Sequence, residues 1–306
     1  MNSIRMSRGH TQAYLRQLLT RHGLMPRTAL GQCFLTDLNL LDILVDAADL
    51  SPTDFVLEIG AGTGSLTQRL AARAGTVLSV EIDRGLFELA QESTRSLTNL
   101  RILHTDILRR KNALHPDVLE AIEELAPPGT SLRRKVVANL PYAVATPVIC
   151  LLLTGHIPWE RIVVTIQKEL ADRLIARPST KDYGSLSVIA QSLADIEILR
   201  ELPPSAFWPR PKVWSAFIKL VPSSSRRATV GNLLQFCALT RAVLVHRRKV
   251  LRTALHAACA NLPKDAIDNF LASLAIDPHT RAESLEPQEF VRLSNHLPTG
   301  WLSLRG

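Results

Sequence analysis

Between Phe55 and Asp83 the chain spells a strand, a glycine-rich turn, a helix and a second strand, an order that admits few folds. Phe55-Val56-Leu57-Glu58-Ile59 reads as a buried strand, and Gly60-Ala61-Gly62-Thr63-Gly64 as a turn that lets backbone approach a ligand closely. Ser65 to Ala72 reads as a helix whose N-terminus offers free N–H groups, and Val77 to Val80 as the next strand. Glu81 follows that strand, 21 residues after Gly60, the spacing at which a carboxylate accepts the ribose hydroxyls of an adenosine cofactor. The glycine pattern is G-x-G-x-G, with Ser65 where a dinucleotide fingerprint places its last Gly. That departure counts against NAD and a dehydrogenase, and fits a single-nucleoside cofactor such as S-adenosylmethionine.

A third strand, Leu100 to Leu103, leads to Asp106. A carboxylate there suits either an exocyclic adenine amine of the cofactor or a helix cap. Val136-Val137-Ala138 is a further apolar strand, and Asn139-Leu140-Pro141-Tyr142 stands at its carboxyl end, where open α/β sheets bind ligands. The Asn139 side-chain oxygen and a backbone carbonyl beside Pro141 can each accept a hydrogen bond from an NH2 group on a flat ring. Tyr142 offers a ring to stack on a base. The plainer reading is a strand-ending turn with a core Tyr. Thr146-Pro147 then predicts a helix with Thr146 as cap.

The spacing predicts an amphipathic helix within the excursion 109–135, strands at 161–166, 196–199 and 213–220, and helices from Gln167 to Ala176 and up to Leu193. The sheet then has about seven strands, mostly parallel. Residues 203–212 form a proline-pinned loop, and Pro222 to Arg227 a linker. Periodic segments broken at Pro263, Pro278 and Pro287 predict a small helical domain. The expected division is a basic extension over 1–30, an α/β domain over 31–221 and a helical domain over 222–306.

Charge is one-sided. The net charge is +8; residues 1–36 hold five arginines (Arg5, Arg8, Arg16, Arg21 and Arg27) and no acid. Tyr14, Leu15, Leu18 and Leu19 give Thr11 to Thr20 helical spacing, which suits a basic helix near a nucleic-acid site, and a disordered basic tail is the alternative for residues 1–10. From Leu202 to Lys264 there are eleven Lys or Arg and again no acid. Such a balance favours a polyanionic partner. His246 to Arg252 is expected to be helical, with Arg247, Arg248, Lys249 and Arg252 forming a basic face; a solvated charge run is the alternative. Cys33, Cys150, Cys237 and Cys259 are scattered, which argues against a zinc site or a disulfide framework and fits a reducing cytosol. No signal peptide or apolar run of membrane-spanning length is present, so a cytoplasmic protein is expected.

Taken together, these residues resemble the bacterial small-subunit rRNA adenine N6,N6-dimethyltransferases, the kasugamycin-resistance family. The resemblance runs from Leu30 to Leu297. It rests on Gly31-Gln32-x-Phe34-Leu35, Glu58-Ile59-Gly60-x-Gly62, Glu81-Ile82-Asp83, Asp106, Asn139-Leu140-Pro141-Tyr142, Gln167-Lys168-Glu169, Tyr183-Gly184-x-Leu186-Ser187-Val188, Phe207-x-Pro209-x-Pro211-Lys212-Val213, Arg247-Arg248-Lys249 and Arg281-Ala282-Glu283. It implies a Rossmann-like, class I S-adenosylmethionine-dependent methyltransferase with a C-terminal all-helical domain. It implies cofactor contacts at Cys33, Leu35, Gly60, Gly62, Glu81, Asp106 and Asn139, and target contacts at Asn139, Leu140, Pro141, Tyr142 and Phe207. The implied reaction is dimethylation of two adjacent adenosines in the 3′-terminal hairpin loop of 16S rRNA in a pre-ribosomal particle, by a monomer without metal. Cys33 and Ala143 stand where the family usually has Asn. The competing readings are methylation of large-subunit rRNA adenine, as in macrolide resistance, and a non-catalytic RNA-binding assembly factor; the helical domain and Arg281-Ala282-Glu283 favour the small-subunit reading.

Overall fold

The computed structural model describes residues 12–27, 30–259, 262–298 and 300–302. The part of the basic extension that carries Arg5 and Arg8 lies outside the described residues. The helices are α1 (Gln12–Arg21), α2 (Leu38–Ala47), α3 (Ser65–Ala71), α4 (Arg84–Thr94), α5 (Pro116–Leu125), α6 (Ala145–Thr154), α7 (Lys168–Leu174), α8 (Ser185–Leu193), α9 (Ser224–Thr229), α10 (Leu233–Val245), α11 (Leu251–Ala258), α12 (Lys264–Ser273) and α13 (Pro287–His296). The strands are β1 (Phe34–Leu35), β2 (Asp54–Ile59), β3 (Thr76–Glu81), β4 (Leu100–His104), β5 (Leu108–Arg110), β6 (Ala113–Leu114), β7 (Arg133–Asn139), β8 (Arg161–Gln167), β9 (Ala194–Leu202), β10 (Phe207–Trp208) and β11 (Ser215–Pro222).

Seven strands form one sheet in the order β4-β3-β2-β7-β8-β11-β9. β4, β3, β2, β7 and β8 pair in parallel, and β11 runs antiparallel to β8. Every residue of β2 is buried, as befits a central parallel strand covered on both faces. From β2 the chain winds outward through β3 and β4, then returns to the other side of β2 as β7. The strand order therefore reverses between β2 and β7, and the carboxyl ends of those two strands frame the crevice where such sheets bind ligands. That topology sets the turn at Gly60 beside Asn139. At the opposite, amino end of the same strands, buried Lys135 pairs with buried Asp54 (Nζ–Oδ2 3.0 Å), and Asp54 also accepts from Arg133 Nε at 2.8 Å.

α6 begins two residues earlier than expected. The Val144 N–H donates to the Pro141 carbonyl (3.1 Å), closing a tight turn, and the helix starts at Ala145 with no side-chain cap from Thr146. Pro147 falls in the first turn, where an N–H has no helical partner anyway. The excursion after Asp106 contains a short hairpin, β5 with β6, before α5.

Contacts divide the chain into one unit of residues 1–169 and 198–220, and another of residues 170–197 and 221–306. The second unit is helical and its core is built from Val188, Ile189, Phe236, Leu239, Leu255, Phe290 and Leu293. Tyr183 is fully buried in it and its phenol donates to the Leu285 carbonyl at 2.6 Å. The stretch expected to be a linker is in part helix α9, capped by Ser223 Oγ, which accepts from the Arg226 N–H. Of the helix expected over His246 to Arg252, His246 to Val250 is instead a turn between α10 and α11, and Leu251 and Arg252 open α11. Its carbonyls are taken by another segment: Arg247 O accepts from Glu283 N (3.1 Å) and Lys249 O from Ala282 N (3.3 Å), bonds that replace helical ones.

Candidate functional site

The crevice at the strand-order reversal is a cavity lined by Leu30, Gly31, Gln32, Cys33, Phe34 and Leu35 on one side. Gly60, Gly62, Glu81, Ile82, Asn139, Leu140 and Pro141 line the other. Two glycines set its width. Gly60 has φ +86° and a Cβ there would stand 3.4 Å from Pro141 Cγ; Gly31 has φ +68° and a Cβ would stand 3.0 Å from the Tyr142 backbone nitrogen. The left-handed backbone favours Gly at both positions, and at Gly31 the close approach of the Tyr142 backbone adds to it.

Glu81 ends β3 with its carboxylate in the cavity wall. Oε2 accepts from Gly62 N–H and Oε1 from Asp83 N–H, both at 2.9 Å. Burial pushes its pKa up, and the backbone bonds oppose that shift. The remaining lone pairs can accept from hydroxyls. Glu58, fully buried in β2, accepts at Oε2 from Thr67 Oγ1 (2.6 Å) and Ser79 Oγ (2.7 Å). Burial pushes its pKa up to about 8, against the pull of the two hydroxyl bonds, so it is mostly a neutral acid at pH 7.

Asn139 ends β7. Its Nδ2 donates to the Cys33 carbonyl at 2.8 Å, which commits the amide end and leaves Oδ1 as the acceptor. The Pro141 carbonyl already accepts from Val144 N–H. Among the described residues no backbone donor engages the Leu140 carbonyl, which leaves it as a backbone acceptor beside Asn139. Tyr142 is half-buried, its hydroxyl 2.6 Å from Ser215 Oγ, and burial pushes its pKa up to about 12. The Cys33 thiol is likewise pushed up by burial and stays protonated at neutral pH.

Two expected site residues are placed differently. Phe207 pairs with Leu35 across the β1–β10 ribbon, and its ring is 3% exposed within a cluster that includes Leu35, Leu41 and Phe217. It packs the core beneath the site and presents no face to a base. Asp106 does not line the cavity and caps no helix; its Oδ1 accepts from Leu108 N–H at 2.9 Å, turning the chain into β5.

The basic cluster in the helical unit is split by its turn. Arg247 donates to the Tyr183 carbonyl (2.6 Å) and faces Glu283 at 3.6 Å. Arg252 is held by Asp268, with Nε–Oδ1 at 2.7 Å, a pairing that pulls the Asp268 pKa down. Arg248 and Lys249 are exposed.

Among the cavity residues not expected from the sequence, Leu15, Ile82 and Gln32 bear on what it can hold. Leu15 of α1 closes one wall. Ile82 is 44% exposed and lines the cavity beside Glu81; an apolar residue directly after the ribose-type carboxylate was the available signal for a ring platform. Gln32 accepts at Oε1 from Arg27 N–H (2.7 Å), while its buried Nε2 has no partner among the described residues. A buried, unpaired donor in the wall, an acidic acceptor at Glu81 and a glycine-lined floor fit a nucleoside cofactor bearing a carboxylate. Among the described residues no group of three or more His, Cys, Asp or Glu gathers as for a metal.

Comparison with known proteins follows the same lines. The family model described as ribosomal RNA adenine dimethylase matches residues 24–298. The chain is 40% identical over 292 residues to ribosomal RNA small subunit methyltransferase A of Geobacillus kaustophilus, covering 94% of this chain and 96% of the relative. It is 40% identical over 269 residues to the protein of the same name from Alkaliphilus oremlandii, covering 88% and 91%. In fold it is similar to a dimethyladenosine transferase from Plasmodium falciparum, with a TM-score of 0.71 at 24% identity over 85% of this chain and 95% of the other. It is also similar in fold to a 23S rRNA methyltransferase, ErmE, with a TM-score of 0.61 at 22% identity over 86% and 99%.

Proposed function

The chain belongs to the ribosomal RNA adenine dimethylase family, a group of S-adenosylmethionine-dependent enzymes, and we propose that it dimethylates N6 of two adjacent adenosines in the 3′-terminal hairpin loop of 16S rRNA in a pre-ribosomal particle. The relatives at 40% identity carry a small-subunit name, which supports that subunit over the large one. The observation that carries the reading is the pair of acceptors at the crevice, Asn139 Oδ1 and the Leu140 carbonyl.

Bound S-adenosylmethionine supplies an electrophilic sulfonium methyl group. Gly60 and Gly62 would let the backbone come close to it, Glu81 would accept from ribose hydroxyls, Ile82 would flank the adenine and Gln32 Nε2 would donate to the carboxylate. Leu35 and Cys33 would shape the opposite wall. At the target base, the N6 lone pair is delocalised into the ring and is a poor nucleophile. Accepting both N6–H bonds at Asn139 and Leu140 draws the nitrogen toward a tetrahedral geometry and localises that lone pair. Pro141 fixes the local φ, and Tyr142, braced by Ser215, stacks on the base. Positioning provides most of the acceleration. No strong base is needed, because an alkylated exocyclic ammonium is itself strongly acidic.

The α/β unit carries the chemistry and the helical unit binds RNA, with Arg248 and Lys249 as its exposed phosphate contacts. No described helix is long and apolar enough to cross a membrane; the proposed form is a monomer acting in the cytoplasm. The test is nucleoside mass spectrometry of isolated small and large subunits incubated with the protein and labelled cofactor. Dimethyladenosine in the small subunit alone is expected; label in the large subunit would overturn the assignment.

A further inference from the structure

Trp214 is an indole held in solvent at the edge of the site. Its residue is 50% exposed, unusual for the largest apolar side chain. It precedes β11, whose antiparallel register sets Ser215 opposite Gln167, two residues beyond Thr165, the partner of Asn139. The start of β11 therefore lies at the same sheet edge as Asn139. Ser215, the next residue, bonds the Tyr142 phenol at 2.6 Å, and the Trp214 carbonyl accepts from Lys168 N–H at 2.9 Å, which fixes the backbone. The loop leading to it contains Pro209 and Pro211, and exposes Arg210 and Lys212 within the acid-free stretch. An exposed aromatic beside two cations on a stiff loop has the composition of a stacking platform for single-stranded nucleic acid.

Resting on the reading of the site as an rRNA adenine methyltransferase, we propose that Trp214 stacks on the base adjacent to the target adenosine while Arg210 and Lys212 take its phosphates. Tyr142 then holds the reacting base and Trp214 its neighbour. The arrangement keeps a splayed loop in register for two successive modifications. It is a positioning and substrate-binding role; Trp214 does not touch the reacting atoms.

The test uses the full chain with Trp214→Ala, Trp214→Leu and Trp214→Phe, and a hairpin RNA carrying 2-aminopurine on either side of the target adenosine. Trp214→Ala and Trp214→Leu should raise KM for RNA about tenfold to a hundredfold with little change in kcat and none in cofactor affinity by calorimetry, the scale of one lost stacked base. Trp214→Phe should restore most of the affinity, and 2-aminopurine quenching at one flank should vanish in the Ala and Leu variants. Wild-type KM in Trp214→Leu, or quenching independent of Trp214, with methylation intact, overturns this role and leaves the enzyme assignment standing. Weakened binding to the ribosomal particle with unchanged binding to the naked hairpin makes Trp214 a protein contact and also overturns it. A wild-type protein that methylates no RNA adenine overturns both.

Discussion

The Asn139 side chain donates through Nδ2 to the backbone carbonyl of Cys33, 2.8 Å away and 106 residues earlier in the chain. The bond fixes which end of the amide faces the crevice. Because the partner is a backbone atom, it survives any side chain at position 33 that leaves the backbone in place.

Cys33→Ala should therefore keep the single-turnover methylation rate within about twofold of wild type, since no bond to the reacting amine is changed. Cys33→Asn should tighten cofactor binding by adding an amide to the cavity wall. A rate loss in Cys33→Ala on the scale of a lost oriented acceptor, about a hundredfold, would mean that the thiol itself orients Asn139.

Glu81 is tied to Gly62 and Asp83 through both carboxylate oxygens. Glu81→Ala removes the acceptor for ribose hydroxyls and frees two backbone donors. Calorimetry should show S-adenosylmethionine binding weakened by about 1–3 kcal/mol. Glu81→Gln should weaken it too, because its NH2 cannot accept from a backbone N–H. Unchanged affinity in both would remove Glu81 from the cofactor site.

The split basic turn separates affinity from stability. Charge reversal at Arg248 and Lys249 should weaken RNA binding and flatten the log–log salt slope by about two, one for each lost phosphate contact, without changing Tm. Arg247→Ala should instead destabilise by about 1 kcal/mol through the lost bond to the Tyr183 carbonyl, and Arg252→Ala should lower Tm slightly by removing the Asp268 partner, neither changing the salt slope. An unaltered salt slope in the double reversal would move the RNA surface elsewhere, with the acid-free N-terminal stretch the next candidate.

Glu58 makes stability depend on pH. Its folded pKa, about 8, lies above the ordinary value of 4.5. The stability it contributes as a neutral acid is fully present below pH 4.5 and is lost as pH rises through about 8. Across that window the loss from this group runs at about 1.4 kcal/mol per pH unit. Glu58→Gln should match wild type near pH 5 and be more stable at pH 8 in urea unfolding. Parallel pH profiles for the two proteins would show that Glu58 is ionised in the fold.

Much of this arrangement was legible because it is local. The glycine spacing after Ile59 and the carboxylate after Val80 are fixed by a strand, a turn and a helix in sequence, and the seven-stranded sheet follows from apolar runs of strand length. What was hidden depends on partners far along the chain. The Tyr142–Ser215 bond joins residues 73 apart, and Cys33 is joined to Asn139 through an atom every residue has. Phe207 shares its motif with an exposed loop, yet its pairing with Leu35 turns it into the core. The charge-rich stretch at Arg247 matched a helix by composition, but Ala282 and Glu283 take its carbonyls and hold it as a turn. Period and charge see neither effect.

On the proposed reading, Asn139 Oδ1 and the Leu140 carbonyl act most strongly on the target amine as it becomes tetrahedral. Single-turnover methylation of small-subunit rRNA by Asn139→Ala, measured beside its RNA and cofactor affinities, tests this most directly. The expected result is a rate lowered by about a hundredfold to a thousandfold, the scale of removing one oriented transition-state contact, with RNA affinity almost unchanged. Methylation at the wild-type rate would contradict it.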